Sequence, residues 1–517
     1  MYMKSIQPVS EPWSIKDVIL VRDYIVQKLI SDCSPFCRPP VWRRVVVRMT
    51  VVCVKFFEWL VGAKLYVQNE LRELFDLDPR LRTLLLKLVQ CGIIASWTRT
   101  SQRPDVPPMV QFAIQLSPIQ IPPGRQFSVT GSAGGGTGYT ADEALLKSIA
   151  EALERYSLSV IDFSHMVIGS YRDLGPRRAI QPEQFCPFSQ NQIEQPEFAR
   201  HRISQDIVFG WVKSKELVTH TERFIPAQTV YLSYGTAFPE DPVFLGASTN
   251  GAAAGSSYDA ALYRALCEAI ERDGLLIFWL NTLAPPRINL ESITIPKVQE
   301  QIAILKKYKF NLTILDITTD LNLPSFAAVL TDSFGEIAVS ISAVADFDIP
   351  RAFEKLMLEI LKFPHFKKIE REGLSKVNSV YNNAASSIDT IADRRGLWSS
   401  QTMRPRIDFF LNGPVKSYRE LQSPIRGGSY REKNQYIVKM LAQKQYSCFV
   451  VDVTASEARD AGLIVVKVVI PDLVPLYFHE YQKPLGINRL YSVPVLLGYR
   501  SNVNTEKSLN QIPHPFL

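Results

Sequence analysis

A chain of 517 residues with 46% hydrophobic and 21% charged residues and no low-complexity tract has the composition of a folded globular protein of two or three units, which excludes a disordered architecture. The net charge of +7 is concentrated at one end, since residues 1–108 hold 16 Lys or Arg against 10 Asp or Glu. Without a recognised binding motif it reads as a solvated basic face, with no nucleic-acid partner. Seven scattered cysteines, acidic Glu11, Asp17 and Asp23 near the start, and an apolar run at 45–61 broken by Arg48, Lys55 and Glu58 place the chain in a reducing, cytoplasmic setting with no membrane span.

Residues 1–100 read as a small, mostly helical module. Leu71, Leu74, Phe75, Leu81, Leu84, Leu85 and Leu88 recur near helical spacing around Asp78-Pro79, and residues 70–94 resemble a helix, turn, helix unit. Residues 101–108 form the linker, because Pro104, Pro107 and Pro108 cannot continue a helix. From 109 to 517 short apolar runs at 310–315, 325–330, 337–344, 448–453 and 463–470 alternate with helical segments. This predicts an α/β or α+β domain with substantial sheet.

An internal repeat organises that domain. Residues 138–155, GYTADEALLKSIAEALER, align without a gap with residues 255–272, GSSYDAALYRALCEAIER, at an offset of 117 and with eight of eighteen positions identical. Each copy enters from a small-residue loop and has an Asp (Asp142, Asp259) near the helix start, where it can cap orphan amides. The repeat implies two related halves with mixed sheets and helices.

Both copies end in Glu-x-x-Glu-Arg. Glu151 and Glu154, like Glu268 and Glu271, are three residues apart and share a helix face. One such helix is ordinarily a solvated face, but its recurrence after a glycine-rich entry points to a shared role. Clustered carboxylates need a cation, and hard Mg2+ is typically shared between carboxylates and nucleotide phosphates. Arg155 and Arg272 can meet phosphate oxygens. The loop at 132–138, SAGGGTG, is no Walker A sequence, though its glycines permit close backbone approach to a phosphate.

These segments, with STNGAAAG at 248–255, RAFEKLMLEILKF from Arg351, VVKVVIPDLVPL from Val465, LGINRL from Leu485 and the final PHPFL, resemble the YcaO family over residues 109–517. The resemblance implies a fold that binds ATP and Mg2+ without a P-loop and activates a peptide amide oxygen. Glu151, Glu154, Glu268 and Glu271 would be the magnesium ligands. Gly136, Thr137, Gly138, Arg155, Ser256 and Arg272 would join them around the nucleotide. Pro513, His514, Pro515 and Leu517 would shape the reacting site. The proline-rich end is similar to that of the azoline-forming branch, in which a cyclodehydratase makes thiazoline or oxazoline rings from Cys, Ser or Thr of a ribosomally made precursor peptide. That branch implies a separate E1-like partner and room for a pathway dehydrogenase. The first module would be a winged-helix-like peptide-recognition element, and a homodimer is the default assembly.

The chain departs from the family pattern at Thr137, Lys147, Ser256, Ala260, Lys362, the helix-breaking Pro364 and Leu517. These substitutions keep open a non-catalytic scaffold that binds the peptide or a partner enzyme. A thioamide-forming or amidine-forming relative is the other alternative.

Overall fold

The computed structural model describes residues 76–100, 107–121, 124–129, 134–244, 246–332, 338–366, 388 and 390–516. The expectations for residues 1–75 lie outside them. Helix α1 (Pro79–Gln90) starts at a proline, which has no amide to leave unbonded, and Asp78 Oδ1 accepts the Arg80 amide at 2.8 Å. It is the helix after Asp78-Pro79 in the unit expected at 70–94, whose earlier part falls mostly outside the described residues. Strand β1 (Ile94–Arg99) comes next and pairs antiparallel with β2 (Val110–Leu116), which pairs with β5 (Gly134–Gly138). The short hairpin β3 (Ile119–Ile121) and β4 (Arg125–Phe127) lies between β2 and β5.

Leu85, Leu86 and Trp97 are buried in one core with Phe112, Leu145 and Leu153, so the leucine face of α1 packs against the main domain. The Asp78 amide donates to Asp142 Oδ1 at 2.8 Å, tying α1 to the first repeat.

A six-stranded sheet runs β6 (Met166–Gly169), β7 (Phe209–Glu216), β15 (Phe449–Asp452), β16 (Ile464–Val469), β9 (Ala252–Gly255), with β8 (Glu222–Pro226) also paired to β7. A five-stranded sheet has the order β13 (Ser340–Ala345), β12 (Ser325–Asp332), β11 (Phe310–Asp316), β10 (Arg287–Ile288), β14 (Val415–Lys416), and within it only β10 and β14 are parallel. The apolar runs predicted as strands fall on β11, β12, β13, β15 and β16. Residue 337, the predicted start of the third run, is outside the described residues.

The helices that matter below are α2 (Ala141–Ser159), α3 (Tyr258–Leu280), α4 (Pro296–Lys307), α5 (Ile349–Phe366), α6 (Ile391–Ser399), α7 (Tyr430–Gln443) and α8 (Arg489–Leu496). Pro364 does not break α5, which continues to Phe366. In the last turn a proline costs one backbone hydrogen bond instead of interrupting a ladder. Among the described residues no helix is long and apolar enough to cross a membrane.

The repeat is visible at the level of atoms. Strand β5 leads into α2 as β9 leads into α3, and in each unit a hydroxyl caps the helix: Thr140 Oγ1 accepts from the Glu143 amide at 3.2 Å and Ser257 Oγ from the Ala260 amide at 3.3 Å. One turn further, Lys147 Nζ donates to Thr137 O at 3.1 Å and Arg264 Nη1 to Ala254 O at 2.8 Å. All four pairs of positions are 117 apart. The caps are Thr140 and Ser257, not the aspartates, which sit within the first helical turn.

Candidate functional site

The two Glu-x-x-Glu-Arg segments meet because a carboxylate of the first unit reaches the strand of the second. Glu154 Oε2 accepts the Ala254 amide of β9 at 3.0 Å. Glu151 is held within its own unit, accepting the Gly135 amide at 2.9 Å and pairing with Arg155 at 2.7 Å. On α3, Arg272 lies 3.2 Å from Glu271 Oε1 and 3.9 Å from Glu268 Oε1. Burial, with the Glu268 and Glu151 charges beside it, pushes the Glu154 carboxyl up to about 8, against the pull of Arg155 and the Ala254 amide. Burial likewise pushes Glu271 up to about 7, although Arg272 and Lys355 oppose it.

Helix α5 brings a third set of charges. Lys362 Nζ pairs with Glu359 Oε2 at 2.5 Å. Although burial opposes it, the Glu359 and Glu151 carboxylates hold the Lys362 ammonium above its ordinary value. From β16, Lys467 is 3% exposed and donates to Ser248 O at 2.9 Å and to Asn250 O. Burial lowers its ammonium to about 8, while Glu268 and Glu154 pull the other way. Lys355, Glu359 and Lys467 were not among the predicted site residues. A lysine inside the otherwise apolar VVKVV strand, and charged residues on one face of the amphipathic α5, were the signals available. Lys467 also lines a cavity with Phe185, Phe244, Asn250 and Leu473, and that cavity touches Ala269, the neighbour of Glu268 on α3.

The PHPFL segment is anchored against α3. Trp279 Nε1 donates to Ile512 O, Trp398 Nε1 to Pro513 O and Arg394 Nη1 to His514 O, each at 3.0 Å. Phe516 bridges to Ile341 on β13, and its ring lies 4.0 Å from the Arg272 guanidinium. Pro513 and Pro515 are buried. His514 is 1% exposed with Nε2 2.9 Å from Tyr477 O; burial, then the Arg394 charge, depresses its pKa well below the usual histidine value. Its imidazole is thus a buried strut. Leu517 lies outside the described residues.

Not every predicted contact converges. The Gly136 amide already donates to Ser148 Oγ at 2.7 Å, so it does not face a phosphate. A Cβ at Gly136 would stand 2.0 Å from Ala144 O, so this glycine serves close strand–helix packing. Thr137 O accepts from Lys147, whose ammonium also pairs with Glu143 at 2.8 Å. Gly138 and the exposed Ser256 stand at the entries to α2 and α3. Ten helical residues, about 15 Å of rise, separate Tyr258 at the start of α3 from Glu268.

Among the described residues no group of three or more His, Cys, Asp or Glu is arranged to hold a metal ion by itself. The four glutamates therefore do not form one closed ligand cage. They fit the other mode of Mg2+ binding, in which one or two carboxylates share the ion with phosphates. The raised Glu154 carboxyl, beside Glu151 and Glu268, is what a cation would relieve.

Residues 135–474 match the family described as YcaO cyclodehydratase, ATP- and Mg2+-binding. The chain belongs to the YcaO family. Its YcaO fold resembles that of a heterocyclase solved with substrate and cofactor, at 22% identity and a TM-score of 0.65, covering 84% of this chain and 57% of that one. The heterocyclase TruD is similar at 24% identity and a TM-score of 0.56, covering 72% and 50%. The YcaO protein of Methanopyrus kandleri, solved with AMPPCP and Mg2+, is similar at 16% identity and a TM-score of 0.53, covering 77% and 91%. The chain thus spans about half the length of the two heterocyclases. No curated protein matches it in sequence.

Proposed function

We propose that this YcaO protein is an ATP-dependent cyclodehydratase that closes thiazoline or oxazoline rings on a ribosomally made precursor peptide. The observation that carries the reading is the convergence of the two Glu-x-x-Glu-Arg helices with the PHPFL segment, through Glu154 on Ala254 and Phe516 on Arg272. In this chemistry a Cys, Ser or Thr side chain loses its proton and attacks the preceding carbonyl carbon, and the former amide oxygen leaves as phosphate while a C=N bond forms and the amide proton departs. Magnesium-ATP, when bound, supplies the phosphoryl group.

The chain's own residues bind and orient. Glu151, Glu154, Glu268 and Glu271 are the oxygen ligands available to the ion. Arg272, Lys355 and Lys362 would supply positive charge toward the charge that develops on phosphate. The cavity between Phe185, Phe244 and Leu473 offers room for peptide side chains beside α3. This reading brings with it a separate E1-like partner that delivers the peptide, a dehydrogenase acting later and a homodimer as the assembly.

Glu154→Ala or Glu271→Ala should abolish peptide-dependent phosphate release and the loss of one water per ring, with the fold retained by circular dichroism. Unchanged turnover in both variants overturns the reading. A second reading, a non-catalytic scaffold, is favoured by the engaged Gly136 amide and by Lys147 and Lys362, each tied to a glutamate. Calorimetry separates the two: magnesium-dependent nucleotide binding counts against the scaffold and its absence counts against the enzyme.

A further inference from the structure

Arg272 is the point where the PHPFL segment touches the acidic helices. Its side chain is 17% exposed, and its Nε and Nη1 are buried without a hydrogen bond of good geometry, although Nη1 lies 3.2 Å from Glu271 Oε1. A buried guanidinium whose N–H groups lack acceptors calls for an anionic oxygen ligand. Its neighbouring carboxylates can rotate it toward themselves or release it, so its aim depends on what covers its flat face.

That cover is the ring of Phe516, 4.0 Å from the guanidinium carbon. Phe516 is 6% exposed and shares a core cluster with Ile341, Trp279 and Trp398. Its backbone bridges to β13, and the residues before it are fixed by Trp279, Trp398 and Arg394. The ring therefore sits on a rigid mount. A cation over an aromatic face keeps its N–H edge free, because the attraction acts perpendicular to the plane in which a guanidinium donates.

We propose that Phe516 is a positioning residue that acts through Arg272, holding the guanidinium edge toward the phosphate oxygens of bound nucleotide, so that nucleotide affinity depends on the PHPFL segment being seated. This rests on the nucleotide-binding reading above. The chemistry recognised is a polyphosphate oxygen, and the π face does what an aliphatic side chain of the same bulk cannot.

The test compares Phe516→Leu, Phe516→Trp and the unsubstituted full chain by calorimetry with Mg2+ and a non-hydrolysable ATP analogue, with melting temperatures measured alongside. Phe516→Leu keeps apolar contact with the cluster and removes the π face. It should weaken nucleotide binding about five- to thirty-fold at temperatures where the chain is still fully folded. Phe516→Trp should bind within about twofold of the unsubstituted chain. Equal binding by all three overturns the proposal, and so does a loss in both variants that tracks a fall in melting temperature, which is the signature of packing alone. If the unsubstituted chain binds no nucleotide, the functional reading fails and the proposal with it. If it binds and Phe516→Leu matches it, the proposal alone fails.

Discussion

His514 is 1% exposed, with Nε2 2.9 Å from Tyr477 O and the Arg394 guanidinium bonded to its own carbonyl. An imidazole held this way folds in neutral form, and burial with the Arg394 charge keeps its pKa well below the ordinary histidine value of 6.5. The unfolded chain takes up a proton there near pH 6.5 while the folded chain does not. Stability contributed by neutral His514 is therefore present above pH 6.5 and is lost as pH falls below it, by about 1.4 kcal/mol per pH unit until the folded-state pKa is reached. His201, also depressed by burial, adds in the same direction. Denaturant melts between pH 7.5 and 5.5 should show this loss. Phe or Gln in place of His514 should flatten the His514 share of the slope, and an unaltered slope in both variants would refute it. The residue types of PHPFL were legible in the sequence. Their burial was not, because a short proline-rich run carries no periodicity from which to read which face is covered.

At the scale of elements the repeat was the most informative feature of the sequence, and its meaning changed on contact with the structure. The glycines of β5 were read as a phosphate-facing loop, yet they alternate between two environments as any strand does. A Cβ on Gly136 would meet Ala144 O at 2.0 Å and Ser148 N at 2.5 Å, whereas one on Gly135 would find only Glu151 Oε2 at 3.9 Å. Gly138 and its counterpart Gly255 are confined in the same way, a Cβ on each facing the Ala144 and Ala261 amide nitrogens at 2.8 and 2.5 Å. Backbone cannot yield as a flexible side chain does, so Gly136→Ala and Gly255→Ala should each cost about 1–3 kcal/mol or more. Gly135→Ala should be nearly neutral for stability. Thermal unfolding of the three variants checks this, and equal melting temperatures for Gly135→Ala and Gly136→Ala would refute the strand–helix assignment. Sequence alone does not separate these roles, since a phosphate cradle and a tight strand–helix crossing both demand glycine.

For the molecule as a whole, the sheet-rich domain and the paired acidic helices were legible because hydrophobic period and repetition survive in a single chain. That the leucine face of α1 packs on the core of Phe112, Leu145 and Leu153 was not legible, because an apolar stripe shows that a helix packs without showing against what. Lys355, Glu359, Lys362 and Lys467 converge on the acidic helices from α5 and β16, elements far apart in sequence, and only tertiary structure brings them there. The same holds for the device that keeps α3 in place beyond its functional end. Asp273, next to Arg272, is fully buried and takes a bidentate grip from Arg489 of α8, with Nη2 at 2.7 Å; the same guanidinium reaches Asp320 at 2.9 Å. Lys444, beyond the end of α7, closes the network on Asp320 at 2.8 Å. Removing the guanidinium leaves a buried carboxylate with the Val474 amide, at 2.9 Å, in place of a charge partner. Arg489→Met should therefore cost about 3–5 kcal/mol in denaturant unfolding, and adding Asp273→Asn should recover part of it by removing the stranded charge. The pair also reaches the site, because α3 carries Glu268, Glu271 and Arg272 on the turns just before Asp273. A loosened α3 should weaken magnesium-nucleotide binding in Arg489→Met at temperatures where the chain is still folded. Arg489→Met with unchanged stability and unchanged binding would mean that the cross-link contributes to neither.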